Sequence, residues 1–158
     1  MMTDCRYWWC GAEADYYIIH DSNKEIRVDS GRPTDIHELW PKNEQGFGIF
    51  WTPNKFKGGV RRVENLEKIR YWYVDLDGAE KDKQRAEIQN CPLRPTMVVE
   101  TKHGYHVYFA VEGECSLENF TEIEKRLWYY FRNVGADKAC KLLTGYFIFR
   151  SEFSFRNT

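Results

Sequence analysis

The sequence predicts an α+β fold, a mainly antiparallel sheet carrying helices on one face. Three observations lead there. Tyr71 to Gly78 reads as a strand in which apolar and acidic residues alternate. Residues 96–109 hold two β-rich runs around a Gly-containing turn, the pattern of a hairpin. Residues 116–131 space large apolar residues as a helix does. The resulting order is strand, helix, hairpin, helix and strand.

Taken from the start, Tyr16 to His20 is a short apolar strand before an Asp-Ser-Asn turn. Thr34 caps a short helix through Trp40, and Pro41 ends it. Phe47 to Thr52 reads as a strand that Pro53-Asn54 breaks, and residues 54–62 form a loop with Lys55, Lys57, Arg61 and Arg62. The central strand runs from about Lys68 to Asp77. Residues 79–90 are polar and helix-favouring, with Pro92 beyond, and suit a surface helix. Strands at Thr96–Glu100 and Tyr105–Phe109 flank the turn Thr101-Lys102-His103-Gly104. Ser116 caps the long helix, where Phe120, Ile123, Leu127 and Phe131 form the apolar stripe. Gly135 falls where a left-handed C-terminal cap belongs, and the tail from Thr144 is rich in Phe. Without a repeat, low-complexity tract or linker, residues 1–158 read as one domain.

Composition limits the partners. The net charge is -1, so no global basic field attracts nucleic acid, and any such contact must be local. An aromatic content of 16% suits core packing and base stacking alike. No apolar run approaches the roughly 18 residues of a membrane span. Met1 to Trp9 lacks the basic and apolar regions of a signal peptide, so a cytoplasmic protein with no membrane partner is expected. The five cysteines are odd in number and scattered, which fits reduced thiols. Cys5 and Cys10 lack the second pair a structural zinc site needs.

The chemistry concentrates at the end of the central strand. Asp75 and Asp77 are two residues apart and share a face, while Trp72, Val74 and Leu76 take the other. Two like charges so close call for a cation, and a divalent metal matches carboxylate oxygens. The alternative is a strand running into an acidic Asp-Gly turn. On the hairpin, His106 and Tyr108 share a face. If that strand neighbours the first, His106 lies beside the carboxylates; otherwise it is a half-buried strand histidine. Thr101, Lys102 and the amides near Gly104 can hold phosphate oxygens or form a solvated turn. Arg61 and Arg62, helped by Lys55 and Lys57, are phosphate contacts or a solvated loop. Asp137 alone reads as a turn residue, and Tyr71 and Tyr73 either stack on a base or floor the sheet.

Together these segments carry a resemblance. Phe50-Trp51-Thr52-Pro53-Asn54 and Arg61-Arg62-Val63-Glu64-Asn65 lead into Tyr73-Val74-Asp75-Leu76-Asp77-Gly78. Pro95 to Phe109, with Thr101-Lys102-His103-Gly104-Tyr105-His106 at its centre, and Gly135-Ala136-Asp137-Lys138-Ala139 follow. In this order residues 45–140 resemble the archaeo-eukaryotic primase superfamily, nearest the primase or primase–polymerase domains of plasmid and phage replication proteins. The resemblance implies a catalytic core related to the RNA-recognition fold. It implies that Asp75, Asp77 and Asp137 are catalytic acids holding two Mg2+ or Mn2+ ions. His106 would contact the triphosphate of an incoming NTP or dNTP, with Thr101 and Lys102 beside it. A single-stranded DNA template is implied, and a replicative helicase or initiator as partner. After Asp137 the chain departs from the family pattern, and Arg150 is the nearest candidate for the basic residue expected there. The function implied is metal-dependent, template-directed nucleotide addition. Its alternatives are a catalytically inactive nucleic-acid-binding module and a rolling-circle replication nuclease. His103-Gly104-Tyr105-His106 lacks the His-apolar-His spacing of that nuclease, although Tyr129-Tyr130 offers a tyrosine.

Overall fold

A computed structural model describes residues 16–20, 27–31, 41, 45, 47–57, 62–138 and 147–149. The strands in chain order are β1 (Tyr16–His20), β2 (Arg27–Gly31), β3 (Phe47–Trp51), β4 (Lys55–Phe56) and β5 (Leu66–Lys68). They continue with β6 (Tyr71–Asp77), β7 (Met97–Glu100), β8 (Gly104–Ala110) and β9 (Phe147–Phe149). Helix α1 (Lys81–Asn90) lies between β6 and β7, and α2 (Leu117–Phe131) follows β8. Every strand pairing among the described residues is antiparallel. The predicted short helix at 34–40 lies outside the described residues.

The chain divides into two compact units. One comprises Met1–Thr52 with Tyr146–Thr158 and holds a four-stranded sheet in the order β2-β1-β3-β9. The other, Pro53–Gly145, holds the three-stranded sheet β6-β8-β7 and the small pair β4-β5. All candidate site residues that are described belong to this second unit.

Its sheet forms as the alternation requires. Val74 pairs with Val107 and Leu76 with Tyr105, so apolar side chains of β6 and β8 meet on one face. They join Phe109, Ile88 of α1, Leu127 and Phe131 of α2, and Val134 in one core cluster. Both helices therefore cover the face that excludes Asp75 and Asp77. Fully burying one such Leu or Phe is worth about 1.5–3 kcal/mol, which makes this face the main stabilising layer.

Local chemistry sets the helix ends. The Ser116 hydroxyl oxygen accepts from the Asn119 amide at 3.1 Å, the expected N-cap of α2. After α2 the chain makes a 3-10 turn at Arg132–Val134 and reverses at Gly135, whose φ is 89°. The buried Asn54 side chain accepts from the amides of Arg70 and Tyr71 at 2.8 and 3.1 Å and so anchors the start of β6. Tyr73, on the acidic side of the alternation, is fully buried with its ring 6.5 Å from that of Phe120. It is a floor residue, and a stacked base cannot reach it.

Candidate functional site

The register of β6 builds the site. Asp75 pairs with His106 and Asp77 with Gly104 on β8. Directly paired residues project to the same face, so His106 stands beside the carboxylates. His106 Nε2 lies 3.5 Å from Asp75 Oδ1.

The other edge of β6 receives a segment from far along the chain. Leu76 bridges Ala136 in antiparallel sense. The Asp77 amide donates to the Gly135 carbonyl and the Asp137 amide to the Asp75 carbonyl, each at 2.9 Å. Asp137 therefore lies across from Asp75, and one row runs Asp137, Asp75, His106. The next row runs Gly135, Asp77, Gly104, with no side chain on either flank of Asp77.

Both glycines are sterically obligatory. A Cβ at Gly104 would lie 1.8 Å from the Leu76 carbonyl oxygen. One at Gly135 would lie 2.1 Å from the Asp77 carbonyl oxygen. The backbone closes on Asp77 from both sides while the space in front of its carboxylate stays open.

The electrostatics follow from this crowding. Burial, and then the charges of Asp77 and Asp137, push the Asp75 carboxyl up to about 6. Burial holds His106 down to about 4 against the opposing pull of Asp77, so its imidazole is neutral at pH 7. A neutral ring brings a hydrogen-bonding nitrogen without a positive charge that would compete with a bound cation.

The turn beside Asp77 is tightly made. The Thr101 amide donates to the Gly104 carbonyl at 2.9 Å, and the Gly104 amide donates to the Thr101 hydroxyl at 3.0 Å. Lys81 of α1 bonds Glu100 at 3.0 Å and also the Thr101 carbonyl. Arg85, one turn later, donates to the Tyr105 hydroxyl at 2.9 Å. Lys102 is exposed on the turn.

The remaining basic residues are arranged differently. Lys55 pairs with Glu67 at 3.2 Å, across β4 and β5. Arg62 faces Glu64 at 3.8 Å, both well exposed. Lys57 is exposed. Arg61 and Arg150 lie outside the described residues.

Two buried polar residues near the site were not anticipated. Glu124 of α2 is buried and accepts from the Tyr73 amide at 2.8 Å, and burial pushes its carboxyl up to about 9. Gln84 of α1, fully buried, donates to the Val134 carbonyl at 3.1 Å. A sequence signal exists for the first: Glu124 is four residues from Phe120 and seven from Phe131, within the apolar stripe.

Among the described residues, no three His, Cys, Asp or Glu side chains are gathered tightly enough to enclose a metal ion as they stand. The donor set nevertheless fits a hard divalent cation. Three carboxylates share one electrostatic environment, and burial together with the charges of Asp77 and Asp137 raises the carboxyl of Asp75.

No family model and no curated protein matches the sequence. Among solved structures, the fold is similar to the AEP domain of the cyanophage S-2L primase-polymerase (PrimPol). The TM-score is 0.65 and the identity 18%, over 85% of this chain and 70% of that one. The α+β architecture expected from the sequence is thus the architecture of a primase-polymerase core.

Proposed function

We propose that this chain is a metal-dependent nucleotidyltransferase of the primase–polymerase type, adding nucleotides along single-stranded DNA. The observation that carries this reading is the convergence of Asp75, Asp77 and Asp137 at one end of β6, with Asp75 raised to about 6 by burial and by the charges of the other two acids. Fold similarity to a phage primase-polymerase domain supports it.

In this reading Asp75, Asp77 and Asp137 hold the metal, and the bare flanks of Asp77 admit a triphosphate. Bound Mg2+ or Mn2+ supplies the charge that acidifies the attacking 3′-hydroxyl and stabilises the in-line displacement at the α-phosphate. Neutral His106 offers a ring nitrogen to the nucleotide from beside Asp75. The Thr101–Gly104 turn, braced by Lys81, fixes where Lys102 meets phosphate oxygens. Arg62, Lys57, Lys55, Arg61 and Arg150 are the further candidates for nucleotide or template phosphates. Most of the rate enhancement then comes from positioning and electrostatics.

The test is incubation with single-stranded template, labelled nucleotides and Mn2+ or Mg2+, with and without primer. Metal-dependent extension that disappears in Asp75→Asn and Asp77→Asn is the expected result. A protein that binds the template but never extends a product is a binding module, and a covalent protein–DNA adduct identifies a nuclease.

A further inference from the structure

We propose that Gln84 and Trp128 are positioning residues for Asp137, holding the third acid in place through the carbonyls that precede it. The inference rests on the metal-site reading above and goes further by saying what makes the third ligand part of the site.

Asp137 does not belong to a strand of the sheet. Its segment meets β6 at the Leu76–Ala136 bridge and through the backbone hydrogen bonds of Asp77 with Gly135 and of Asp137 with Asp75. Each such bond is a modest net contributor to stability, because folding forms it at the expense of bonds to water. Three successive carbonyls of this segment, however, are taken by donors from three different elements. Val134 accepts from Gln84 Nε2 of α1 at 3.1 Å. Gly135 accepts from the Asp77 amide of β6 at 2.9 Å. Ala136 accepts from Trp128 Nε1 of α2 at 3.2 Å.

Gln84 is fully buried, and its Oε1 is close to Gly104, where a Cβ would lie 3.0 Å from it. Trp128 is on the last turn of α2, and the Lys138 ammonium stands 5.8 Å from its ring centroid, just past Asp137. Gln84 thus lies close to β8 at Gly104 and reaches the Val134 carbonyl with its amide nitrogen. Trp128 clamps the residue immediately before Asp137. With both bonds in place, the carboxylate of Asp137 is carried on a segment fixed from α1, α2 and β6 together.

The experiment uses the full chain with Mn2+ as probe. Free Mn2+ is followed by electron paramagnetic resonance, and exchange of the Asp137 amide by NMR. Trp128→Phe and Gln84→Met each remove one donor while keeping an apolar body of similar size. Each is expected to weaken Mn2+ binding by about tenfold, the usual scale for outer-shell partners. Each is also expected to speed exchange at Asp137. In an Asp137→Ala background, neither substitution should weaken Mn2+ binding further, because the ligand they position is gone. Equal losses in both backgrounds would mean that they only support the fold, and the proposal falls. Unchanged exchange at Asp137 in the variants overturns it as well. A parent chain that binds no Mn2+ instead removes the metal reading on which the proposal stands.

Discussion

Glu124 is a carboxyl group that the fold keeps protonated. It sits beneath the outer edge of β6, accepts from the Tyr73 amide and is raised from 4.5 to about 9 by burial. The folded protein keeps a proton that the unfolded chain releases. Its stabilising contribution is therefore complete below pH 4.5, falls as pH rises, and is lost once the pH passes about 9. The slope reaches at most about 1.4 kcal/mol per pH unit. Glu124→Gln retains an acceptor for Tyr73 and cannot ionise. Denaturant unfolding across this range should show the variant gaining on the parent as pH rises; parallel curves would refute the role. Asp75 and Asp77 invite the complementary experiment. Asp77→Asn removes a charge that raises Asp75, so at pH 7 without metal its stability should equal or exceed that of the parent, by thermal melting. The paired acids were legible because strand alternation puts i and i+2 on one face. Glu124 was passed over because the helical stripe was assigned to Ile123, and a polar residue in such a stripe is rarely buried without a partner. Its partner, a backbone amide of β6, is invisible to helical periodicity.

At the scale of elements, the strands fit together through missing side chains. Gly104 brings β8 against β6, and Gly135 brings the returning segment against Asp77. Gly104→Ala sets a methyl 1.8 Å from a backbone carbonyl, which only separation of the strands relieves. A loss of at least about 3 kcal/mol is expected by denaturant unfolding, the upper end of overpacking costs. Gly135→Ala adds the penalty of a left-handed backbone at φ 89°. Ser116→Ala removes only the α2 cap and should cost about 1 kcal/mol. The caps, the hairpin and the helical stripe were readable because each depends on residues within one turn of another. The two-residue β4 and its partner β5 were not, since they arise from pairing across a basic, Gly-containing loop. Strand β2 was missed for the same reason: its residues pair with β1 without an apolar alternation of their own.

At the scale of the molecule, the site is assembled from segments that are distant in sequence. Asp75 and Asp137 are joined by a main-chain hydrogen bond although α1, the β7–β8 hairpin and α2 lie between them. No local pattern marks Asp137 as a ligand; the order of motifs along the chain suggested it, and the bridge between Leu76 and Ala136 brings it to the acid pair. If it holds metal, Asp137→Asn should depress nucleotide incorporation about as far as Asp75→Asn, with weaker Mn2+ binding, because an amide cannot balance the ion's charge. Parent-like incorporation together with parent-like Mn2+ affinity would return Asp137 to a turn role. No helix among the described residues is long and apolar enough to cross a membrane.

The hydrogen bonds that deliver Asp137 have a second effect. Along the outer side of β6, the Tyr73 amide is taken by Glu124, the Asp75 carbonyl by Asp137 and the Asp77 amide by Gly135. An unpaired strand edge beginning Tyr, Trp, Tyr and Val, with Leu76 beyond Asp75, would recruit strands from other molecules and aggregate. The acid proposed as the third ligand therefore arrives on the segment that covers this edge of the sheet. During synthesis, the β6–β8–β7 sheet emerges from the ribosome before that cover exists. A chain arrested before Gly135 should be prone to self-association, and one extended through Lys138 should be protected.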